Sequence, residues 1–324
     1  MSFLMASILA AAIMAGCGGD DGTSEPVSWQ DAPVIPEMDD ETREQFLTDV
    51  AAADARGQNA DVFAKVGDSN TELPWNLYGF GCRAVDYGNQ EEYEPIVERF
   101  RQVEFPLAGE PGCTPINSFS RFSAATRSGT FSVFPVSRIR DTGAFGRPDP
   151  ACDPAETPLD CEIRLIKPRY TIVMTGTNDL GLDINFLGTK PGGSTFVRLS
   201  LLVARARQAG SVPILSNLPP SWVPKTHDID EWGGIITANE QIQELADEVN
   251  VPLINLWRAM TEEQMINRGL SDGVHLNVYG GNDSPDVFAN SVNLSDEALR
   301  YGANRRNLIW LQTLAELDRV AAEG

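Results

Sequence analysis

The chain has 324 residues, of which 42% are hydrophobic and 22% are charged, an ordinary balance for a folded globular protein. Lysine and arginine number 25 against 46 acidic residues, so the formal net charge at pH 7 is −21. A surface this acidic repels nucleic-acid phosphate, anionic lipid and polyanionic substrates, and no nucleic-acid partner is expected. No internal period suggests a repeat array.

The first 39 residues predict export. Residues 1–16 are uncharged and nearly all apolar, which suits a signal peptide and falls short of the roughly 20 residues that span a bilayer as a helix. Cys17 ends the run Met-Ala-Gly-Cys, which looks like the lipobox of a bacterial lipoprotein and implies lipid attachment at this residue. Residues 17–39 then form a lipidated, flexible linker. We expect an exported protein, lipid-anchored to the membrane of the bacterial cell envelope on its periplasmic or cell-surface side; a plain secretory peptide is the alternative.

Residues 40–324 are predicted to form one domain. A helical pattern runs to Arg56 and ends at Gly57, a common helix stop. A strand over residues 62–66 follows and ends in Gly-Asp-Ser, and a helix is predicted over residues 91–103. The irregular stretch 130–150 is interpreted as the rim of a site or a lid.

The second half of the domain alternates strands with helices. Apolar runs predict strands at residues 170–175, 212–215 and 251–256, and amphipathic patterns predict helices at 194–209, 235–248 and 295–323. Such alternation is typical of βαβ units, in which helices cover both faces of a parallel sheet.

Residues with useful chemistry follow these strands. Ser69 comes directly after the first strand, and Asn178 lies in Gly-Thr-Asn-Asp after the strand at 170–175. The carboxyl ends of parallel strands border the crevice where ligands bind, so both side chains are expected there. A serine nucleophile needs a base, and Asp272 precedes His275 by three residues.

These segments, in this order, resemble the SGNH hydrolases, also called the GDSL esterase/lipase superfamily. The resemblance covers about residues 60–280 and implies a three-layer α/β/α sandwich with a parallel, flavodoxin-like sheet. It also implies Ser69 as nucleophile, His275 as general base and Asp272 as the carboxylate that orients the imidazole. The implied oxyanion hole consists of Ser69, Asn178 and a glycine, for which Gly129 in Ser-Gly-Thr is our choice; an ordinary loop glycine is the alternative reading.

One position departs from the family pattern. The family often has leucine after Gly-Asp-Ser, whereas this chain has Asn70. Because the residue after the serine need not touch the chemistry, the departure is predicted to matter little.

The cysteines agree with export. Lipidation of Cys17 would leave four others, an even set that suits an oxidising compartment. Of the three pairings, we favour Cys82 with Cys113 and Cys152 with Cys161, the second pair flanking a stretch interpreted as a proline-rich loop, residues 153–160. A metal site is the competing idea, but no Cys-x-x-Cys spacing occurs, and neither a metal nor a cofactor is expected.

The other histidine, His227, follows a proline-rich loop and is interpreted as a surface residue rather than a contact for substrate at the rim. The acidic segment 280–286 lacks the spacing of an EF-hand and is interpreted as a solvated loop.

The predicted function is a serine esterase that cleaves acetyl or other short-chain acyl esters, of a small molecule or a glycan, through an acyl-enzyme. Two alternatives remain on the same fold. One is a lipid-anchored carbohydrate-binding protein without turnover, and the other is acyl transfer to an envelope sugar with water excluded.

Overall fold

A parallel sheet forms the centre of the domain. The computed structural model describes residues 28–142, 150–183, 193–221 and 234–324. The strands lie in the order β1-β2-β3-β4 and all neighbours are parallel. Their bounds are Asn59–Gly67 (β1), Pro168–Met174 (β2), Val212–Ser216 (β3) and Leu253–Ile254 (β4). The predicted α/β fold with a parallel sheet is confirmed.

One further contact extends the sheet beyond β1. Gly67 forms an isolated parallel bridge with Thr126: its N–H donates to the Ala125 carbonyl, and its own carbonyl accepts the N–H of Arg127. The segment at Thr126 therefore lies beside β1 on the edge away from β2. Counting this segment as a strand gives the strand order of a flavodoxin-like sheet.

Helices cover both faces of the sheet. Along β2, Tyr170 and Ile172 belong to one apolar core and Val173 to another, because successive side chains of a strand point to opposite faces. The first core also contains the inner sides of α1 and α10, and the second those of α4, α6 and α7. The helices are Asp40–Ala55 (α1), Ser69–Glu72 (α2), Glu94–Arg101 (α3), Pro158–Ile166 (α4), Thr177–Leu182 (α5), Gly193–Ala209 (α6), Ile235–Glu248 (α7), Leu256–Thr261 (α8), Val287–Ser291 (α9) and Gly302–Glu323 (α10).

The end of the expected linker is docked on the domain. Trp29 packs edge-on against Trp257 with ring centroids 5.2 Å apart, and Asn255 donates to the carbonyls of Trp29 (2.7 Å) and Ala32 (3.0 Å). These contacts fix the segment before α1 to the turn after β4. The proposed signal peptide, Cys17 and the first part of the linker lie outside the described residues.

Three predicted elements differ in the structure. Helix α4 occupies part of the stretch interpreted as a proline-rich loop, because Thr157 and Asp160 form a capping box around Pro158. Strand β4 is shorter than predicted, since Asn255 turns the chain and caps α8. Helix α10 begins at Gly302 rather than near residue 295, after an extended Tyr301.

Two disulfides join Cys82 to Cys113 and Cys152 to Cys161, with Cα–Cα distances of 5.2 and 5.5 Å. This is the pairing favoured from the sequence. No helix among the described residues is both long and apolar enough to span a membrane.

Candidate active site

The turn after β1 presents Ser69 at the carboxyl edge of the sheet. A Cβ on Gly67 would lie 2.2 Å from the Met174 carbonyl oxygen, so only glycine lets β1 pass this close to β2. Asp68 then caps α2, its Oδ1 accepting the backbone N–H of Asn70 at 3.2 Å. Ser69 is the first residue of α2 and is 9% exposed, so its hydroxyl is nearly shielded from bulk water.

The loop before α9 brings an imidazole to this serine. The Ser69 Oγ lies 3.0 Å from the His275 Nε2, and the His275 Nδ1 lies 2.7 Å from the Asp272 Oδ2. Because a carboxylate can only accept at Nδ1, the proton sits there and the Nε2 lone pair faces the hydroxyl. The three side chains form a hydrogen-bonded chain in which the imidazole can take the serine proton.

Backbone hydrogen bonds hold the Asp272 carboxylate in place. Its other oxygen, Oδ1, accepts the N–H groups of Val274 (3.1 Å) and His275 (2.8 Å). Partial burial raises the pKa of Asp272, but the hydrogen bonds from the His275 ring and from these two N–H groups outweigh burial and bring the pKa below its ordinary value. The carboxylate therefore stays ionised at neutral pH and can stabilise a protonated imidazole.

Asn70 connects the serine turn to the histidine loop. Its Nδ2 donates to the Val274 carbonyl at 3.0 Å, and its Oδ1 accepts the Leu276 N–H at 3.1 Å. These are the two residues on either side of His275. A leucine here could form neither bond, so the departure from the family pattern adds a connection that the sequence did not predict. The Asn70 carbonyl in turn accepts from Arg306 at 2.6 Å, a fully buried guanidinium on α10.

The two remaining oxyanion candidates belong to adjoining segments. The Asn178 amide, at the start of α5, donates to the Thr130 carbonyl at 2.8 Å, and Thr130 directly follows Gly129. An amide nitrogen carries two protons, so one remains for a ligand. Gly129 is exposed and has φ +75°, a conformation that favours glycine.

A buried carboxylate fixes these segments to each other. Asp179 is fully buried and accepts the Ser132 N–H (2.8 Å) and Oγ–H (2.6 Å), and it pairs with Arg198 on α6. The start of the predicted lid or rim is thus tied to the loop that carries Asn178. Burial raises the pKa of Asp179 despite the opposing effects of the Ser132 hydrogen bonds and of Arg198.

The cap of α2 is itself an unusual acid. Asp68 is 2% exposed, and its Oδ2 has no hydrogen-bond partner among the described residues. Burial, reinforced by nearby Asp179, raises its pKa to about 6, although the N–H groups of Asn70 and Gly176 oppose the shift. The group next to the serine therefore changes charge near neutral pH.

The sequence located the side chains that meet here but not those that hold them. Ser69, Asp272 and His275 lie together as described, and Asn178 and Gly129 lie on adjoining loops. The sequence marked Asn70 only as a departure from the family pattern and indicated neither its two bonds nor the pairing of Asp179 with Ser132. His227 lies outside the described residues. Within the described parts of the chain, no cluster of three or more His, Cys, Asp or Glu side chains is placed to bind a metal ion.

One family model matches part of the chain. Residues 147–281 match the model of the GDSL-like Lipase/Acylhydrolase family, a segment that includes Asn178, Asp272 and His275 and leaves Ser69 outside. No curated protein matches the sequence.

Solved structures offer distant likenesses. A mutant acetyl esterase with an acetate ion is 16% identical (79% of this chain, 98% of that chain, TM-score 0.44). A GDSL-like lipase from Bacteroides thetaiotaomicron is 15% identical (84% and 98%, TM-score 0.43), and the acetylxylan esterase Axe2 from Geobacillus stearothermophilus is 15% identical (78% and 93%, TM-score 0.44). Over residues 147–281 the chain is similar in sequence to the GDSL-like lipases and acylhydrolases, enzymes that hydrolyse ester bonds.

Proposed function

We propose that this protein is a serine esterase that cleaves acetyl or short-chain acyl esters through a covalent acyl-enzyme. The observation that carries the proposal is the hydrogen-bonded chain from Ser69 Oγ through His275 to Asp272, at 3.0 and 2.7 Å. A serine hydroxyl is a weak nucleophile at neutral pH and becomes useful when a base lies within hydrogen-bond reach.

In the first half-reaction His275 accepts the Ser69 proton as the oxygen attacks the ester carbonyl, and Asp272 stabilises the resulting imidazolium. The imidazolium then protonates the leaving alcohol as the carbon–oxygen bond breaks. In the second half-reaction His275 takes a proton from water, the hydroxide attacks the acyl-enzyme, and Ser69 leaves with the proton returned to it.

The negative oxygen of each tetrahedral intermediate needs hydrogen-bond donors. We assign this role to the backbone N–H groups of Ser69 and Gly129 and to the second amide proton of Asn178. The bond from Asn178 to Thr130 supports the assignment, because it sets the amide beside the peptide that follows Gly129. Preorganised donors of this kind stabilise the transition state without reorganising during the reaction.

The direct test is Ser69→Ala with p-nitrophenyl acetate as substrate. Loss of the nucleophile should lower kcat by at least about 10⁴-fold, as removal of a triad member does in serine hydrolases. Ser211→Ala is a matched control, since Ser211 is a buried serine at the amino end of β3, the opposite end of the sheet. Equal turnover by the Ser69→Ala variant and the wild type would refute the esterase.

We further propose that the enzyme works outside the cytoplasm, anchored through lipid on Cys17. Two disulfides suit an oxidising compartment, which supports export. Metabolic labelling with a radioactive fatty acid in a bacterial host tests the anchor: the wild type should incorporate label and Cys17→Ser should not. Label retained by Cys17→Ser, or absent from both, would contradict it.

A further inference from the structure

A cavity lies at the end of α2 and takes no part in the steps above. Its volume is about 460 Å³, and its lining includes Glu72, Tyr78, Glu110, Phe122 and Arg127. We call it the Tyr78–Phe122 pocket. Glu72 is the last residue of α2, three positions after Ser69, which is about 4.5 Å along a helix axis.

The pocket also adjoins the oxyanion segment. The Glu72 carboxylate accepts the backbone N–H of Ser128, the residue before Gly129, and forms an ion pair with Arg127 at 3.4 Å. One side chain thus lies on the pocket wall and holds the loop that carries the oxyanion candidate. A group bound in the pocket would therefore be close to an ester at Ser69.

The walls combine an aromatic surface with hydrogen-bonding groups. Phe122 is 42% exposed, an unusual degree for a phenylalanine, and packs edge-on against Tyr78 at 5.8 Å. The lining also contains the carboxylates of Glu72 and Glu110 and the guanidinium of Arg127.

The polar groups exclude a lipid acyl chain as the natural occupant. A buried acyl chain would strip water from the Glu110 carboxylate without replacing its hydrogen bonds, which is costly. Burial already raises the pKa of Glu110, although Lys65 and Arg83 act in the opposite direction. A sugar ring fits better, because it offers an apolar C–H face to Phe122 and hydroxyls to the carboxylates.

We propose that the Tyr78–Phe122 pocket binds a neutral sugar unit of the ester substrate, next to the acylated position. In the lining Arg127 is already paired with Glu72, so the charge of Glu110 and the net charge of −21 disfavour a uronic acid or another anionic sugar. The inference deepens the proposed esterase function: it makes the alcohol part of the ester a neutral oligosaccharide.

The test is calorimetric titration of the wild type with unsubstituted hexasaccharides of xylose, glucose and mannose, and with a hexagalacturonate. Unsubstituted sugars contain no ester, so the result does not depend on turnover. At least one neutral hexasaccharide should bind with a stoichiometry of one. Phe122→Ala should weaken it about three- to tenfold, the scale of one aromatic contact. Glu110→Ala should weaken it about tenfold, because it removes a charged hydrogen-bond acceptor.

Leu201→Ala serves as the control, since Leu201 is an exposed apolar residue of α6 outside the pocket lining. This variant should bind the neutral hexasaccharide as tightly as the wild type does. No binding of any neutral sugar, tighter binding of hexagalacturonate, or equal affinities for Phe122→Ala and the wild type would each overturn the proposal. If p-nitrophenyl acetate is hydrolysed and no sugar binds, the pocket assignment fails while the esterase stands. If a sugar binds and no ester is hydrolysed, the esterase proposal fails while the pocket assignment stands.

Discussion

Replacing Asn70 with leucine tests whether the connection between the serine turn and the histidine loop matters for catalysis. Leucine has a similar volume, so packing is largely kept, but it removes the bonds to the Val274 carbonyl and the Leu276 N–H. The bond from Arg306 to the carbonyl of residue 70 involves backbone and survives the change. The substitution therefore isolates the side-chain contacts.

The loss of stability comes from the backbone groups that Asn70→Leu leaves without a hydrogen-bond partner. Leu276 is fully buried, and an unsatisfied buried N–H costs about 1–3 kcal/mol, while the second bond contributes about 1 kcal/mol. The free energy of unfolding should fall by roughly 2–4 kcal/mol. Without these two bonds the His275 ring should also shift from its position beside Ser69. A misplacement of about 1 Å in a catalytic group can cost 10²-fold in rate.

The assay is kcat and KM for p-nitrophenyl acetate, beside urea unfolding. Asn70→Leu should lower kcat about 10- to 100-fold with little change in KM, because the substrate contacts remain. Asn117→Leu is the control: the buried Asn117 side chain donates to the Gly81 carbonyl and accepts the N–H groups of Phe119 and Ser120 and the Ser120 hydroxyl. Asn117 adjoins Ser118, which contacts Phe63. Phe63 lies four residues, about 13 Å, before Gly67, the residue at which β1 ends beside the site. If the two variants lose the same stability and have the same kcat, Asn70 does not position His275.

Two further predictions concern the oxyanion loop and the buried acid. Asn178→Ala should raise the activation barrier by about 2.7–4 kcal/mol, a 10²–10³-fold loss in kcat. A higher KM with unchanged kcat would contradict the role of Asn178 as an oxyanion donor. Asp68 has a folded pKa of about 6, above its unfolded value, so its protonation stabilises the fold fully below about pH 4, and this contribution is lost as pH rises through 6. The full shift corresponds to about 3 kcal/mol, of which about 2 kcal/mol is lost between pH 4.5 and 7.5, so urea unfolding at these two pH values should show the wild type losing up to about 2 kcal/mol relative to Asp68→Asn. Parallel curves would disprove it.

The sequence anticipated the elements that have strong local signals. Helix α7 matches its predicted bounds, because its apolar residues repeat at helical spacing and glycine precedes it. Strand β2 was clear from its β-branched run. Helix α4 was missed because the prolines between Cys152 and Cys161 suggested a loop, although Thr157-Pro-Leu-Asp160 is a helix start.

The residues that support the site could not be found in the same way. Asn70 contacts Val274 and Leu276 across more than 200 positions of sequence, and no spacing rule relates them. The Asp179–Ser132 bonds likewise join segments that local propensity treats separately. Sequence motifs identify side chains that react, whereas the groups that orient them depend on tertiary packing.

The most direct test of the central claim is covalent labelling with a fluorophosphonate, followed by mass spectrometry of the proteolysed protein. We expect one adduct, on the peptide that contains Ser69, formed rapidly by the wild type. His275→Ala should label at least about 10²-fold more slowly, because the hydroxyl has lost its base. An adduct on a different serine, or equal labelling rates for His275→Ala and the wild type, would contradict the account.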